Sequence, residues 1–307
     1  MKKNTFTYPS SDGRTAIHAV SWEPDGSPRA VLQIIHGMTE YTERYEPWAQ
    51  WLTERGFAVT GNDHLGHGQS VVSPDRLGYF ADEDGNAKLL ADISELRRIT
   101  SARYPGLPYF MLGHSMGSFL LRQYICSRAE GLSGAVIMGT GSHPAAATAF
   151  AKRLCSVLAR FRGWDDRSHL IRAMAFGTYN KRFGAPDGRD WLSRNRDNVE
   201  RFVKDDLCMF DFTLNGYYNM FHSLNFIAKP ENLAGMPRNL PVYFVSGTDD
   251  PVGSYGKDPV KIADDFRKMG MKDVSLTMYE GDRHEILNET DRLSVYGDIH
   301  NWFESHI

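Results

Sequence analysis

Short apolar runs alternate along this chain with longer segments of helical period. Residues 31–35, 57–60, 109–112, 135–138, 242–245 and 274–278 are runs of four or five residues, rich in Val, Ile and aromatic side chains and mostly bounded by Gly or Pro. Such runs predict buried strands of a parallel sheet. Between them, Leu89, Leu90, Ile93, Leu96 and Ile99 recur at spacings of three and four, which predicts a helix ending before Tyr104-Pro105-Gly106. A second helix is predicted over 45–55, stopped by Gly56, and Phe119, Leu120, Tyr124 and Ile125 carry a third after Gly117. Two further strands, near 4–8 and 16–23, flank the turn signal Ser11-Asp12-Gly13, so an antiparallel hairpin begins the sheet. Strand following helix following strand predicts an α/β architecture, with a parallel sheet covered on both faces.

The alternation stops near Gly141 and resumes near Leu240. The intervening residues are rich in Phe, Met, Trp and Arg and lack strand-like runs. Residues 142–232 are therefore read as a helical insertion between a first core segment, 1–141, and a second, 233–307. Phe150, Leu154, Val157, Leu158 and Phe161 predict the packed apolar face of one of its helices, with Lys152, Arg153, Arg160 and Arg162 outside. Asp165 and Asp166 follow at once, so that basic face is read as solvated. The insertion is expected to lie over the C-terminal edge of the sheet, where ligands bind in open α/β sheets.

Composition removes several classes of function. The chain has 307 residues, 41% of them hydrophobic and 24% charged, which excludes a mainly disordered protein. Lys and Arg number 35 against 38 Asp and Glu, so no basic surface for nucleic acid is expected. Cys126, Cys155 and Cys208 are odd in number and widely spaced, which predicts no zinc or disulfide pattern and a reducing, cytoplasmic setting. No signal peptide or run long enough to span a bilayer is expected.

The chemistry centres on Gly113-His114-Ser115-Met116-Gly117. It matches G-x-S-x-G, in which a serine sits on a sharp strand-to-helix turn. The match alone is weak, but it follows the run 109–112 and precedes an apolar-periodic helix, the context the motif requires. A serine hydroxyl needs a base, and the base an orienting carboxylate. Asp249 and Asp250 both follow the run 242–245, and His284 follows the run 274–278. Serine, acid and histidine thus stand in the chain order this motif demands, each just past a strand. His18 falls inside a strand, and His300 and His306 in a C-terminal helical tail. His64 and His67 are spaced H-x-x-H, but no third ligand is evident, so no metal site is expected.

Together these residues resemble the α/β-hydrolases, in particular the branch of monoacylglycerol lipases, lysophospholipases and serine aminopeptidase-like hydrolases. Residues 36–45 resemble that branch's HG segment followed by E-x-x-x-R-Y, and Asn62 to Ser70 resemble its D-x-x-G-H-G-x-S loop. The resemblance covers nearly all of the chain outside 142–232. It implies an α/β-hydrolase fold: a mostly parallel eight-stranded sheet with helices on both faces and a helical cap. It implies Ser115 as nucleophile, His284 as base, and the backbone N–H groups of Met38 and Met116 as the oxyanion hole. The family's G-x-x-D spacing, counted from Gly247, selects Asp250 over Asp249 as the acid. Asp63, His64 and His67 become loop scaffolding. The implied activity is hydrolysis of a small ester or lipid monoester, without metal or organic cofactor and with possible transient contact between cap and membrane surface. Aminopeptidase-like relatives grip a free amine with carboxylates, for which Asp205, Asp206 and Asp211 in the insertion are the candidates.

Overall fold

The computed structural model describes residues 1–184 and 188–307. Its eight strands are β1 (Lys2–Pro9), β2 (Ala16–Glu23), β3 (Ala30–Ile35), β4 (Phe57–Asn62), β5 (Tyr109–His114), β6 (Gly134–Met138), β7 (Val242–Gly247) and β8 (Val274–Tyr279). They form one sheet in the order β1-β2-β4-β3-β5-β6-β7-β8. β1 pairs antiparallel with β2, and β2 antiparallel with β4; every later pairing is parallel. The fold is the α/β-hydrolase fold expected from the sequence.

The strands read as continuous apolar runs because both faces are covered. Alternate residues divide between two cores. Leu32, Ile34, Phe110, Leu112, Val136 and Val245 meet one side, covered by α1 (Glu46–Thr53) and the C-terminal helix, Arg292–Glu304. Val31, Ile35, Met111, Ile137 and Phe244 meet the other, covered by α2 (Gly85–Arg103), α3 (Met116–Tyr124) and the helix Lys257–Lys268. The chain lays β4 on one side of β3 and then β5 on the other. The carboxyl ends of β3 and β5 therefore flank a topological switch point, the crevice where ligands bind in such sheets.

Between β6 and β7 the chain forms α4 (Ala145–Arg162), α5 (His169–Phe176), α6 (Arg196–Lys204), α7 (Leu214–Ile227) and the short α8 (Pro230–Leu233). The helices Lys257–Lys268 and Arg292–Glu304 are α9 and α10.

The orientation of α4 differs from the expectation. Its buried positions are Thr148, Ala151, Cys155 and Ala159, whereas Phe150, Val157 and Phe161 are 61%, 46% and 82% exposed, and Leu154 and Leu158 are half-buried. Small side chains at spacings of three and four let α4 lie close against α7, and the larger apolar stripe is turned outward. Periodicity locates a stripe but does not say which of two stripes faces the core. Nor does Lys152 stand outside: its Nζ lies 3.3 Å from His222 Nδ1 and 5.1 Å from the Tyr218 ring centre. The acidic residues after the helix are neutralised locally, Asp166 by Arg162 at 3.0 Å and Asp165 by Arg76 at 2.5 Å.

Candidate active site

Ser115 stands between the last residue of β5 and the first of α3, with φ 52° and ψ −119°. A non-glycine residue at positive φ is strained, and such strain collects at functional sites. The flanking glycines allow the turn. A Cβ on Gly117 would run into the Ile35 carbonyl, and one on Gly113 into the Gly117 carbonyl. Strand and helix therefore approach too closely for any side chain at either position. Ser118 Oγ donates to the Ser115 carbonyl at 2.6 Å, fixing the first turn of α3.

Asp250 lies just beyond β7 and His284 beyond β8, and the two meet. His284 Nδ1 is 2.9 Å from Asp250 Oδ2, and both side chains are almost wholly buried. The other Asp250 oxygen accepts the Val252 N–H at 2.9 Å, which locks the carboxylate. Asp249, the neighbouring candidate, instead ties the loop down through its backbone N–H to the Asp282 carbonyl at 2.9 Å. Ser115 and His284 line the same cavity. No hydrogen bond joins Ser115 Oγ to His284 among the described residues; contacts of this kind often tighten only with substrate in place. Met38, after β3, and Met116, at the start of α3, line that cavity beside Ser115. No hydrogen bond engages either N–H among the described residues.

A buried ionic network lies behind the serine. Glu40 Oε1 accepts from Gly37 N at 2.5 Å, Tyr45 Oη at 2.9 Å and His114 Nδ1 at 2.9 Å. Arg44 reaches Glu40 at 3.1 Å and forks onto both oxygens of Glu285 at 2.9 Å. Asn198 of α6 donates to Glu285 at 2.7 Å. Burial acts against charge on Glu40, but His114 and Arg44 outweigh it and hold the carboxyl well below its usual range. Burial likewise acts to lower His114, yet the facing Glu40 carries its pKa above the ordinary value. The Glu40 carboxylate thus favours the protonated form of His114, and the His284 carbonyl sits 3.3 Å from His114 Nε2.

The cavity measures about 550 Å³, the size of a small-molecule site. Its lining is mainly apolar, with Phe119, Met220, Phe221 and Leu224 among the contributors, and it includes the carboxylate-bearing residues Glu40 and Glu285. Residues of α4 and α5 complete the lining, among them Ala147, Ala151 and Met174. Of the three aspartates considered for an amine, Asp211 alone lines the cavity. Its carboxylate is paired with Arg172 at 3.2 Å, while Asp205 accepts from Tyr41 Oη at 2.8 Å and Asp206 is exposed.

His64 and His67 sit in a buried loop beside His36, away from this cavity. Burial lowers both, His67 to about 3, and so disfavours the charged imidazolium in each. Asp63 secures the loop, accepting from Thr42 N and Gln69 N at 2.9 Å each. Among the described residues no group of three or more His, Cys, Asp or Glu is placed to hold a metal ion, and no helix is long and apolar enough to cross a membrane.

The chain order serine, aspartate, histidine, with the serine on a strained strand-to-helix turn, is the arrangement of the α/β-hydrolases and not of the chymotrypsin or subtilisin folds. Within that class the chain belongs to the family described as serine aminopeptidase, S33 (Hydrolase_4), whose model matches residues 26–291. It is 27% identical over 296 residues to the monoglyceride lipase of Mus musculus, across 93% of this chain and 86% of that one. It is 26% identical over 289 residues to the monoacylglycerol lipase of Mycolicibacterium smegmatis, across 93% and 92% of the two chains. Among solved structures, a thermostable carboxyl esterase of Bacillus coagulans in complex with glycerol superposes with a TM-score of 0.91 at 28% identity, over 100% of this chain and 99% of that one. The protein is accordingly a hydrolase acting on esters, of the lipase and esterase kind.

The sequence reading missed Glu285, Asn198 and Trp191 around this site. Glu40, Arg44 and Tyr45 stood in the E-x-x-x-R-Y string, and His114 is the variable residue of the elbow. Four of the network's groups were thus in view without a role.

Proposed function

We propose that this hydrolase cleaves a lipid-like monoester, a monoacylglycerol or a lysophospholipid, through an acyl-enzyme on Ser115. The observation that carries the reading is the placement of Ser115 and His284 on the wall of one cavity, with Asp250 bonded to His284 behind it and most of the remaining wall apolar. Ser115 Oγ attacks the ester carbonyl as His284 Nε2 takes its proton. Asp250 holds the Nδ1–H tautomer and stabilises the imidazolium. The N–H groups of Met38 and Met116 receive the developing oxyanion; one such donor contributes about 3–4 kcal/mol to lowering the barrier. Collapse breaks the bond to the alcohol, which leaves with the proton from Nε2. Water activated by His284 then releases the fatty acid and frees Ser115.

The helices of residues 142–232 act as a cap over the core of 1–141 and 233–307. The predominantly apolar lining fits an acyl chain. The expected result of kcat/KM measurements on p-nitrophenyl esters from two to sixteen carbons is a maximum at medium to long chains. A maximum at two to four carbons leaves an esterase and removes the lipid reading. The family's aminopeptidase description is the second reading, but Arg172 already occupies the carboxylate of Asp211. Turnover of amino-acid anilides above that of esters would overturn our choice.

The outward stripe of α4, with Leu170 at 54% and Met174 at 51% exposure on α5, supports transient contact with a lipid surface. Both helices also line the cavity, so such contact brings the opening to the substrate's own phase. Phe150→Ser with Phe161→Ser is expected to reduce co-sedimentation with phosphatidylcholine vesicles several-fold while leaving hydrolysis of soluble p-nitrophenyl butyrate within two-fold. Equal sedimentation of variant and parent would contradict it. Cys126, Cys155 and Cys208 are buried and unpaired, which supports a cytoplasmic setting; recovery of the protein chiefly outside the cell would overturn that placement.

A further inference from the structure

The imidazole of His284 is flanked by two rings from different parts of the fold. His114, from the core, lies 4.7 Å away between ring centres at an interplanar angle of 40°. Trp191, from the segment between β6 and β7, lies 5.2 Å away at 41°. Gly139 makes room for the imidazole, since a Cβ there would sit 3.1 Å from His284 Cε1. Trp191 is itself held in place. Its backbone N–H donates to Asn180 Oδ1 at 2.9 Å, and its indole packs edge-on against Tyr179 at 5.1 Å.

The backbone around Trp191 is bound directly to the His284 loop. Glu285 N donates to the Leu192 carbonyl at 2.7 Å, and Arg283 donates to the carbonyls of Asp190 and Ser193 at 2.6 and 3.2 Å. Arg194 N reaches both oxygens of Glu289 at 3.0 Å, and Asn195 donates to the Asn288 carbonyl at 2.9 Å. Residues 190–195 thus form a strap across the loop that carries His284, and Trp191 is the strap's side chain on the imidazole.

We propose that Trp191 is a positioning residue for the hydrolysis: the strap sets the ring of His284 from the side away from the core, and the indole stabilises the imidazolium formed when Ser115 transfers its proton. The proposal rests on the reading of His284 as the base. An aromatic ring attracts a cation within about 6 Å of its centre, and more strongly in a desolvated site. A neutral imidazole gains little from this attraction, whereas a charged one gains it in full. The contact is therefore stronger in the transition state than in the ground state and acts on kcat. It also couples the base to the insertion, because the side chain that completes the setting of His284 lies outside the core segments.

The experiment compares Trp191→Leu and Trp191→Phe with the parent enzyme, and with Ser115→Ala, on p-nitrophenyl butyrate, a substrate too short to need the far apolar wall. Trp191→Leu is expected to lower kcat about ten-fold with KM within two-fold, and Trp191→Phe to recover kcat to within three-fold. The low-field proton resonance of the His284–Asp250 hydrogen bond is expected to broaden or move in Trp191→Leu and to return in Trp191→Phe. A parental kcat in Trp191→Leu would overturn the proposal. So would a rise in KM alone, which would make Trp191 a wall of the substrate site, or a failure of Phe to rescue. Activity persisting in Ser115→Ala would instead overturn the underlying triad reading, so the two failures are told apart.

Discussion

Ser115→Ala is expected to lower ester hydrolysis about ten-thousand-fold or more, with little change in substrate binding. The loss is large because nothing replaces the hydroxyl. The next serine, Ser118, is buried and committed to the Ser115 carbonyl at 2.6 Å. The cavity and the Met38 and Met116 N–H groups remain, so substrate still enters and a residual rate above water persists. Alanine keeps the Cβ that the turn accommodates, and it releases no buried charge, so folding is preserved. His284→Ala is expected to fall to a similar rate, and the double variant to add little, because members of a relay act as a unit. Purified variants with p-nitrophenyl ester assays check this directly. A loss of less than about a hundred-fold in Ser115→Ala contradicts the assignment.

Glu40→Ala is expected to destabilise the fold by about 3–5 kcal/mol, lowering the thermal midpoint by roughly 5–10 °C. The side chain is 4% exposed and serves Gly37 N, Tyr45 Oη, His114 and Arg44 together. Its removal leaves two donors unsatisfied and His114 facing no anion, which costs more than the pair itself contributed. The cost depends on pH in a defined sense. His114 is raised in the folded protein, so its share of the stability is complete below its unfolded pKa, near 6.5, and is lost as pH rises through the folded value. Glu40 is held low, so its share is present above its unfolded pKa of 4.5 and is lost only when strong acid protonates it. The gap between Glu40→Ala and the parent is therefore expected to be widest near pH 5–6 and to narrow towards pH 9. Urea unfolding at both ends of that range measures it, and a gap that widened with pH would contradict the raised pKa of His114. Gly37 N–H precedes Met38, so a fall in kcat is expected alongside the loss of stability.

Much of this was legible in the sequence because strands buried on both faces announce themselves as short apolar runs. The run 109–112 followed by Gly-x-Ser-x-Gly carried its own steric logic, and β5, Ser115 and α3 sit where that logic requires. Asp250 and His284 could be located because each stands just past a strand, and position relative to a sheet edge is a property of the chain itself. The choice between Asp249 and Asp250 needed a spacing borrowed from relatives, since adjacent residues on one loop look alike until their side chains are placed. The outer stripe of α4 went wrong for a related reason. Phe150, Val157 and Phe161 form a good helical stripe, and only packing against α7 reveals that Ala151, Cys155 and Ala159 face inward. Trp191 left no trace at all, because its partner His284 is distant in sequence and no period or spacing links them.

The most direct test of the central claim is the mass of the protein itself during turnover. After rapid mixing with p-nitrophenyl decanoate and acid quench, intact-mass analysis is expected to show one decanoyl group, carried by the peptide containing Ser115 and absent from Ser115→Ala. The adduct should disappear as hydrolysis proceeds. An acyl group on any other residue, or an adduct and full turnover in Ser115→Ala, would contradict the account.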